Sequence, residues 1–123
     1  MEEIAENTVS MTMSSGDIVR YAAPELADTI DAPPTTHSDT YSFAMLVLEC
    51  ITEKEPFSGL RDATVAHARF VKKQCPPRPG KQGSKDYVSD ELWLLMNECW
   101  SLEPHRRPTM EYVHSFFAGS DRA

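Results

Sequence analysis

Three short strings hold most of the side chains able to do chemistry in this chain. Tyr21-Ala22-Ala23-Pro24-Glu25 ends on a carboxylate, and Asp39-Thr40-Tyr41-Ser42-Phe43-Ala44 opens on one. Cys99-Trp100-Ser101-Leu102-Glu103-Pro104-His105-Arg106-Arg107-Pro108-Thr109 carries two guanidiniums. A carboxylate can accept a proton or grip a cation, whereas a guanidinium stays charged and can only bind and orient. Elsewhere the possibilities thin out. His37, His67, His105 and His114 are scattered, and only Glu111-x-x-His114 has ligand-like spacing. A carboxylate-bridged two-metal bundle needs two such pairs and further carboxylates, so no metal site is expected. Gly80-Lys81-Gln82-Gly83-Ser84-Lys85 lacks the G-x-x-x-x-G-K-[ST] spacing of a phosphate-cradling loop and reads as a polar loop.

Taken in order, the three strings resemble the A-P-E, D-x-W/Y-S-F-G and C-W-x-x-x-P-x-x-R-P-T patterns of eukaryotic protein kinase domains. The likeness covers roughly residues 16–117. It implies the helical C-terminal lobe of that fold, beginning where an activation segment ends, with the N-lobe sheet and catalytic loop absent and the nucleotide-handling parts expected upstream. The glycines never form G-x-G-x-x-G, and neither D-F-G nor H-R-D with its following Asn occurs. His105-Arg106-Arg107 matches H-R-D only in its first two positions, and Arg107 cannot take a proton from a substrate hydroxyl. No catalytic residue is therefore assigned. ATP and magnesium belong to a complete relative and are not expected to be cofactors of this chain.

The resemblance also gives roles to individual positions. It pairs Glu25, the end of the motif Ala23-Pro24-Glu25, with Arg107 in one buried structural ion pair. A planar guanidinium can grip both oxygens of a carboxylate, which a lysine cannot do. Asp39 corresponds to the residue that anchors the catalytic loop from below; without that loop it faces water or serves a local cap. Ile18, Val19, Arg20 and Tyr21 fall in the segment that lines the substrate pocket. Serine/threonine kinases place a Thr where Ile18 stands, and Ala44 replaces the usual Gly. The wording Val19-Arg20-Tyr21-Ala22-Ala23-Pro24-Glu25-Leu26 leans towards the tyrosine-kinase-like branch.

Elements able to position these residues are legible as helices. A short one follows Pro24, over Glu25 to Asp28, and Pro33-Pro34 breaks the chain after it. Thr36-His37-Ser38-Asp39 has capping-box spacing and starts a helix to about Thr52. Phe43 to Leu48 are consecutive apolar residues, with Cys50 and Ile51 beyond, so this helix is expected to be buried all round. Phe57 is the expected anchor of the turn Glu55-Pro56-Phe57-Ser58-Gly59. A less regular helix is expected over 61–74. Ser89 can cap a helix whose Leu92, Leu95, Met96, Cys99 and Trp100 form one apolar face. Thr109 can cap a last helix burying Met110, Val113, Phe116 and Phe117. Nothing calls for a sheet, so the class is all-α.

Composition fits this reading. The 123 residues are 41% apolar and 25% charged, enough for one domain with a modest core. The net charge is -7, and residues 1–33 hold seven acids against Arg20 alone. Without a basic face, nucleic acid is not an expected partner. Arg69, Lys72, Lys73, Arg78, Lys81 and Lys85 form a run without acids, read as a solvated face or a docking surface for an acidic partner. Three cysteines without C-x-x-C spacing point to reduced thiols, with Cys50 and Cys99 in the core. No segment reads as a signal peptide or a membrane span, and a cytoplasmic or nuclear location fits best.

The expected organisation is a Ser/Thr-rich acidic tail (1–15) with several hydroxyls open to phosphorylation, a partial kinase domain (16–117) and a short tail (118–123). Two functions compete. One is a partial protein kinase domain, from a family that moves phosphate from ATP to protein hydroxyls, inactive by itself. The other is a pseudokinase-like helical interaction module. Protein substrates or partners suit both. The helix over 37–52 lacks a covering neighbour on one side, so Phe43, Met45 and Val47 are expected to leave an apolar patch that favours association.

Overall fold

The structure is a computed structural model and describes residues 15–28 and 32–120. Residues 1–14 of the Ser/Thr-rich tail, with hydroxyls Thr8, Ser10, Thr12 and Ser14, lie outside the described residues, while Ser15, read as the end of the tail, begins a helix. Six α-helices occur among those described, with no strand: α1 Ser15–Tyr21, α2 Glu25–Asp28, α3 Thr36–Thr52, α4 Asp62–Ala66, α5 Asp90–Cys99 and α6 Met110–Ser120. α4 runs directly into a π-helical turn, His67–Val71, and a 3-10 turn, Pro104–Arg106, precedes α6. The all-α expectation is met.

α3 is the pillar against which α1, α5 and the 3-10 turn pack. Its inward side is set by Tyr41, Ala44, Met45 and Leu48, at i, i+3, i+4 and i+7. These meet Leu95, Met96, Cys99 and Trp100 of the α5 region and Val113 of α6 in a single apolar core. α5 has the expected apolar face, and Ser89 caps it by accepting from the Leu92 N–H at 3.1 Å. Thr109 likewise accepts from the Tyr112 N–H at 3.1 Å.

Several expectations need correction. The capping box of α3 lies one residue earlier: Thr35 is the cap, and its hydroxyl accepts from Ser38 N–H while Ser38 Oγ accepts from Thr35 N–H. A serine hydroxyl closes the box, so Asp39 does not serve it. α3 is also not buried all round. Leu46 is 50% exposed and Cys50 is exposed, because the described neighbours cover only part of the helix circumference. Met45, expected in the open patch, is fully buried. Pro56 rather than Phe57 anchors its turn, where Phe57 takes a positive φ of 59°. The 61–74 helix is shorter and changes to a π turn at His67. Met110 stays 39% exposed, while Val113 is buried. Arg69, read as part of a basic surface run, is fully buried.

Candidate functional site

Pro24 and the short α2 turn carry Glu25 to the base of α3, and the bend of the 3-10 turn brings Arg107 to meet it. The two are 82 residues apart in sequence. Arg107 Nη1 donates to Glu25 Oε2 at 2.8 Å and Nη2 to Oε1 at 2.8 Å, a two-pronged grip. The same guanidinium donates from Nε to the Ser101 carbonyl and from Nη1 to the His37 carbonyl, each at 2.9 Å. It lies over the Tyr41 ring at 4.9 Å. Its side chain is wholly shielded, while that of Glu25 keeps 30% exposure. Arg107 thus joins the turn after α1, the start of α3 and the segment after α5.

Burial by itself would raise the Glu25 carboxyl. The hydrogen bonds from Arg107, Glu25's own backbone N–H and the Arg107 charge outweigh it and hold the group below its ordinary value. A carboxylate depressed in the folded state contributes stability that is complete above its unfolded pKa, about 4.3, and is lost as pH falls through the folded value. Stability measured by urea unfolding is therefore expected to drop on acidification below about pH 4.3. A Glu25→Gln chain should show a shallower acid limb, and an unchanged limb would contradict the assignment.

The segment 18–21 divides into inward and outward halves. Arg20 is buried and extends away from the α1 axis to the loop before α4. It donates to the Pro56, Phe57 and Leu60 carbonyls at 2.9, 3.0 and 2.6 Å and to Asp62 Oδ1 at 3.0 Å. The Val19 carbonyl accepts from Arg69. Ile18 is 46% exposed, and Tyr21 donates its hydroxyl to Glu49 of α3. Burial and the Glu49 carboxylate both raise the Tyr21 phenol well above its ordinary range, so it stays protonated.

Ile18 and Tyr21 open onto a 680 Å³ cavity whose floor includes Ala22, Leu26 and Leu46. Asp17, Asp39 and Glu49 bring three carboxylates to its lining, which among the described residues holds no Lys or Arg. Asp39 itself is exposed. Glu25 and Arg107 are brought together, and Ile18, Tyr21 and Asp39 share one cavity. Arg20 does not join them. Burial, with the Glu98 charge, pushes the Cys99 thiol up to about 12 and leaves it a poor nucleophile. Among the described residues no group of three His, Cys, Asp or Glu side chains is disposed to hold a metal ion. No helix among them is long and apolar enough to cross a membrane.

Sequence reasoning missed Arg69 and Ser42. Both bond to backbone carbonyls of the 19–22 segment, and such partners leave no trace in side-chain spacing.

Comparison with known proteins agrees with the motif geometry. The family described as protein tyrosine and serine/threonine kinase matches residues 1–117. The tyrosine-protein kinase transforming protein ros of UR2 avian sarcoma virus is 36% identical over 96 residues, covering 77% of this chain and 22% of that protein. Human receptor-interacting serine/threonine-protein kinase 1 is 30% identical over 103 residues, 84% of this chain and 15% of its own length. The seven transmembrane domain-containing tyrosine-protein kinase 1 of Dictyostelium discoideum is 31% identical over 111 residues, 90% of this chain and 15% of its own. The chain thus spans less than a quarter of each of these relatives. On its motifs and on the extent of the match, it belongs to the protein tyrosine and serine/threonine kinase family.

Proposed function

We propose that these 123 residues form the substrate-side helical part of a protein kinase domain and do not transfer phosphate by themselves. The observation that carries this reading is the Glu25–Arg107 grip, which engages both carboxylate oxygens and three guanidinium nitrogens in bracing the fold. The motif residues are thereby committed to structure. Arg107 stands where a proton acceptor would be needed if His105-Arg106-Arg107 were a catalytic string, and it has no acceptor atom.

ATP and its magnesium do not fit what is present. Among the described residues the 680 Å³ cavity is lined by apolar side chains and three carboxylates without a Lys or Arg, a setting that would repel a triphosphate. The smaller 270 Å³ cavity beside Pro76 and Pro77 has Lys54 and Arg78, but Glu55 and Asp86 offset them. In the whole domain the phosphate would pass from ATP to a protein hydroxyl, and the role of this part is to hold the segment 18–25 against the helices. A protein is the partner class that follows, and three free thiols suit a reducing compartment.

The competing reading, a helical interaction module, draws on the apolar groove of Phe43, Leu46, Val47, Cys50, Ile51, Leu92 and Phe117. One experiment tests the non-catalytic assignment that both readings share. The purified chain is incubated with radiolabelled ATP, magnesium and generic protein acceptors, and its melting is followed with and without nucleotide. No label transfer and no nucleotide-dependent rise in melting temperature are expected. Either signal would overturn the non-catalytic assignment.

A further inference from the structure

The last carbonyls of a helix have no partner within it and must find one outside. α1 ends at Tyr21, and its terminal carbonyls are satisfied from elsewhere in the chain. Arg69 Nη1 donates to the Val19 carbonyl and Nη2 to the Ala22 carbonyl, both at 2.6 Å. Ser42 Oγ donates to the Tyr21 carbonyl between them, at 2.9 Å. A positive charge at this end also complements the helix dipole.

The setting of Arg69 makes this arrangement unusual. Its side chain sits in the π-helical turn His67–Val71, and a π turn inside a helix is uncommon and often marks a functional position. The residue is 0% exposed, and its backbone partners among the described residues are carbonyls rather than carboxylates. Its Nε is buried and makes no hydrogen bond among the described residues. The guanidinium lies over the rings of Tyr41 at 5.3 Å and Phe70 at 5.0 Å. A buried cation is expensive to desolvate, and the backbone hydrogen bonds that Arg69 donates among the described residues go to one short piece of chain. An apolar side chain would fill the same space at lower cost but would leave the Val19 and Ala22 carbonyls without these bonds.

We infer that Arg69 is the positioning residue of the substrate-facing segment 18–22, capping the C-terminal end of α1 from the π turn after α4. The inference rests on the kinase reading for what the segment does, but not for how it is held. Arg69 fixes the backbone of Val19 and Ala22, and the neighbouring side chains Ile18 and Tyr21 then open onto the cavity at set angles. Arg20 ties the same helix to the loop before α4, so α1 is held to the α4 region from both ends of the contact.

Hydrogen–deuterium exchange on the 123-residue chain tests this with Arg69→Gln and Arg69→Lys. Amides over 19–24 are expected to exchange at least about tenfold faster in Arg69→Gln, with α5 and α6 unchanged. Arg69→Lys keeps the charge but has one point of attachment, so it should recover only part of that protection. Rates over 19–24 within about twofold of the parent in Arg69→Gln would overturn the inference. So would equal acceleration in 19–24, α5 and α6, or loss of helical circular dichroism in Arg69→Lys, since each marks a general folding role. This readout uses neither nucleotide nor phosphate transfer. A failure of the non-catalytic assignment would appear in the labelling assay and leave the exchange result intact.

Discussion

Arg107→Met is expected to lower the unfolding free energy by about 3–5 kcal/mol, the usual result of breaking a buried ion pair from one side. Four hydrogen bonds disappear together, and they involve three separate parts of the chain: Glu25, the His37 carbonyl and the Ser101 carbonyl. The ring face of Tyr41 also loses its cation. Glu25 keeps enough exposure to recover some hydration, which places the effect towards the lower end of the range. Arg107→Lys should lose more than half as much, because one ammonium cannot reproduce a fork that serves a carboxylate and two carbonyls. Urea unfolding followed by circular dichroism measures both. A midpoint unchanged in Arg107→Met would mean that the contacts contribute nothing net.

Trp100→Ala should be comparably severe, about 3–5 kcal/mol. Trp100 is 2% exposed and lies edge-on to Trp93 at 5.6 Å, at the junction of α5 and the segment leading to Arg107. Its removal leaves a cavity beside Met96 and Cys99 that helices on both sides cannot readily close. Trp100→Phe offers the informative contrast. The indole Nε1 is buried without a partner among the described residues, so no hydrogen bond to them is forfeited when it goes. The loss should then reflect ring size alone and stay within about 2 kcal/mol. A Phe variant as unstable as the Ala variant would show that the indole N–H does have a partner in solution.

Helices whose apolar residues recur on one side were legible in the sequence. α5 is the clearest case: Leu95, Met96, Cys99 and Trp100 are all buried, as their spacing implies. α3 was legible as an element but not in its burial. Its apolar residues surround the helix, and periodicity cannot say which of them a neighbour will cover. Met45 faces α5 and α6, whereas Leu46, one residue on, faces the open cavity. Cys50 follows the same rule and is exposed.

α1 left no signal because a helix of seven residues draws its stability from tertiary partners. Those partners, Arg69 and Ser42, act on backbone carbonyls. For the same reason Arg20 and Arg69 passed for a pocket residue and a surface base. Each is a long side chain reaching main-chain oxygen some 36 to 50 residues away, and a spacing pattern contains no information about such contacts. The one-residue shift of the α3 cap has a local cause. Thr35 and Thr36 are equally good caps by type, and Ser38 selects Thr35 by returning the hydrogen bond. Glu25 and Arg107 stood out only through their motifs, which lie at the two ends of the chain.

The claim on which the rest depends is that Glu25 and Arg107 act together to bind the segment after α1 to the last helices. A double-mutant cycle on unfolding free energy, with Glu25→Gln, Arg107→Met and the double variant, measures that directly. A coupling of at least about 1.5 kcal/mol is expected, because Glu25→Gln should do little once Arg107 is gone. Additivity within about 0.5 kcal/mol would show two independent residues and would contradict the account.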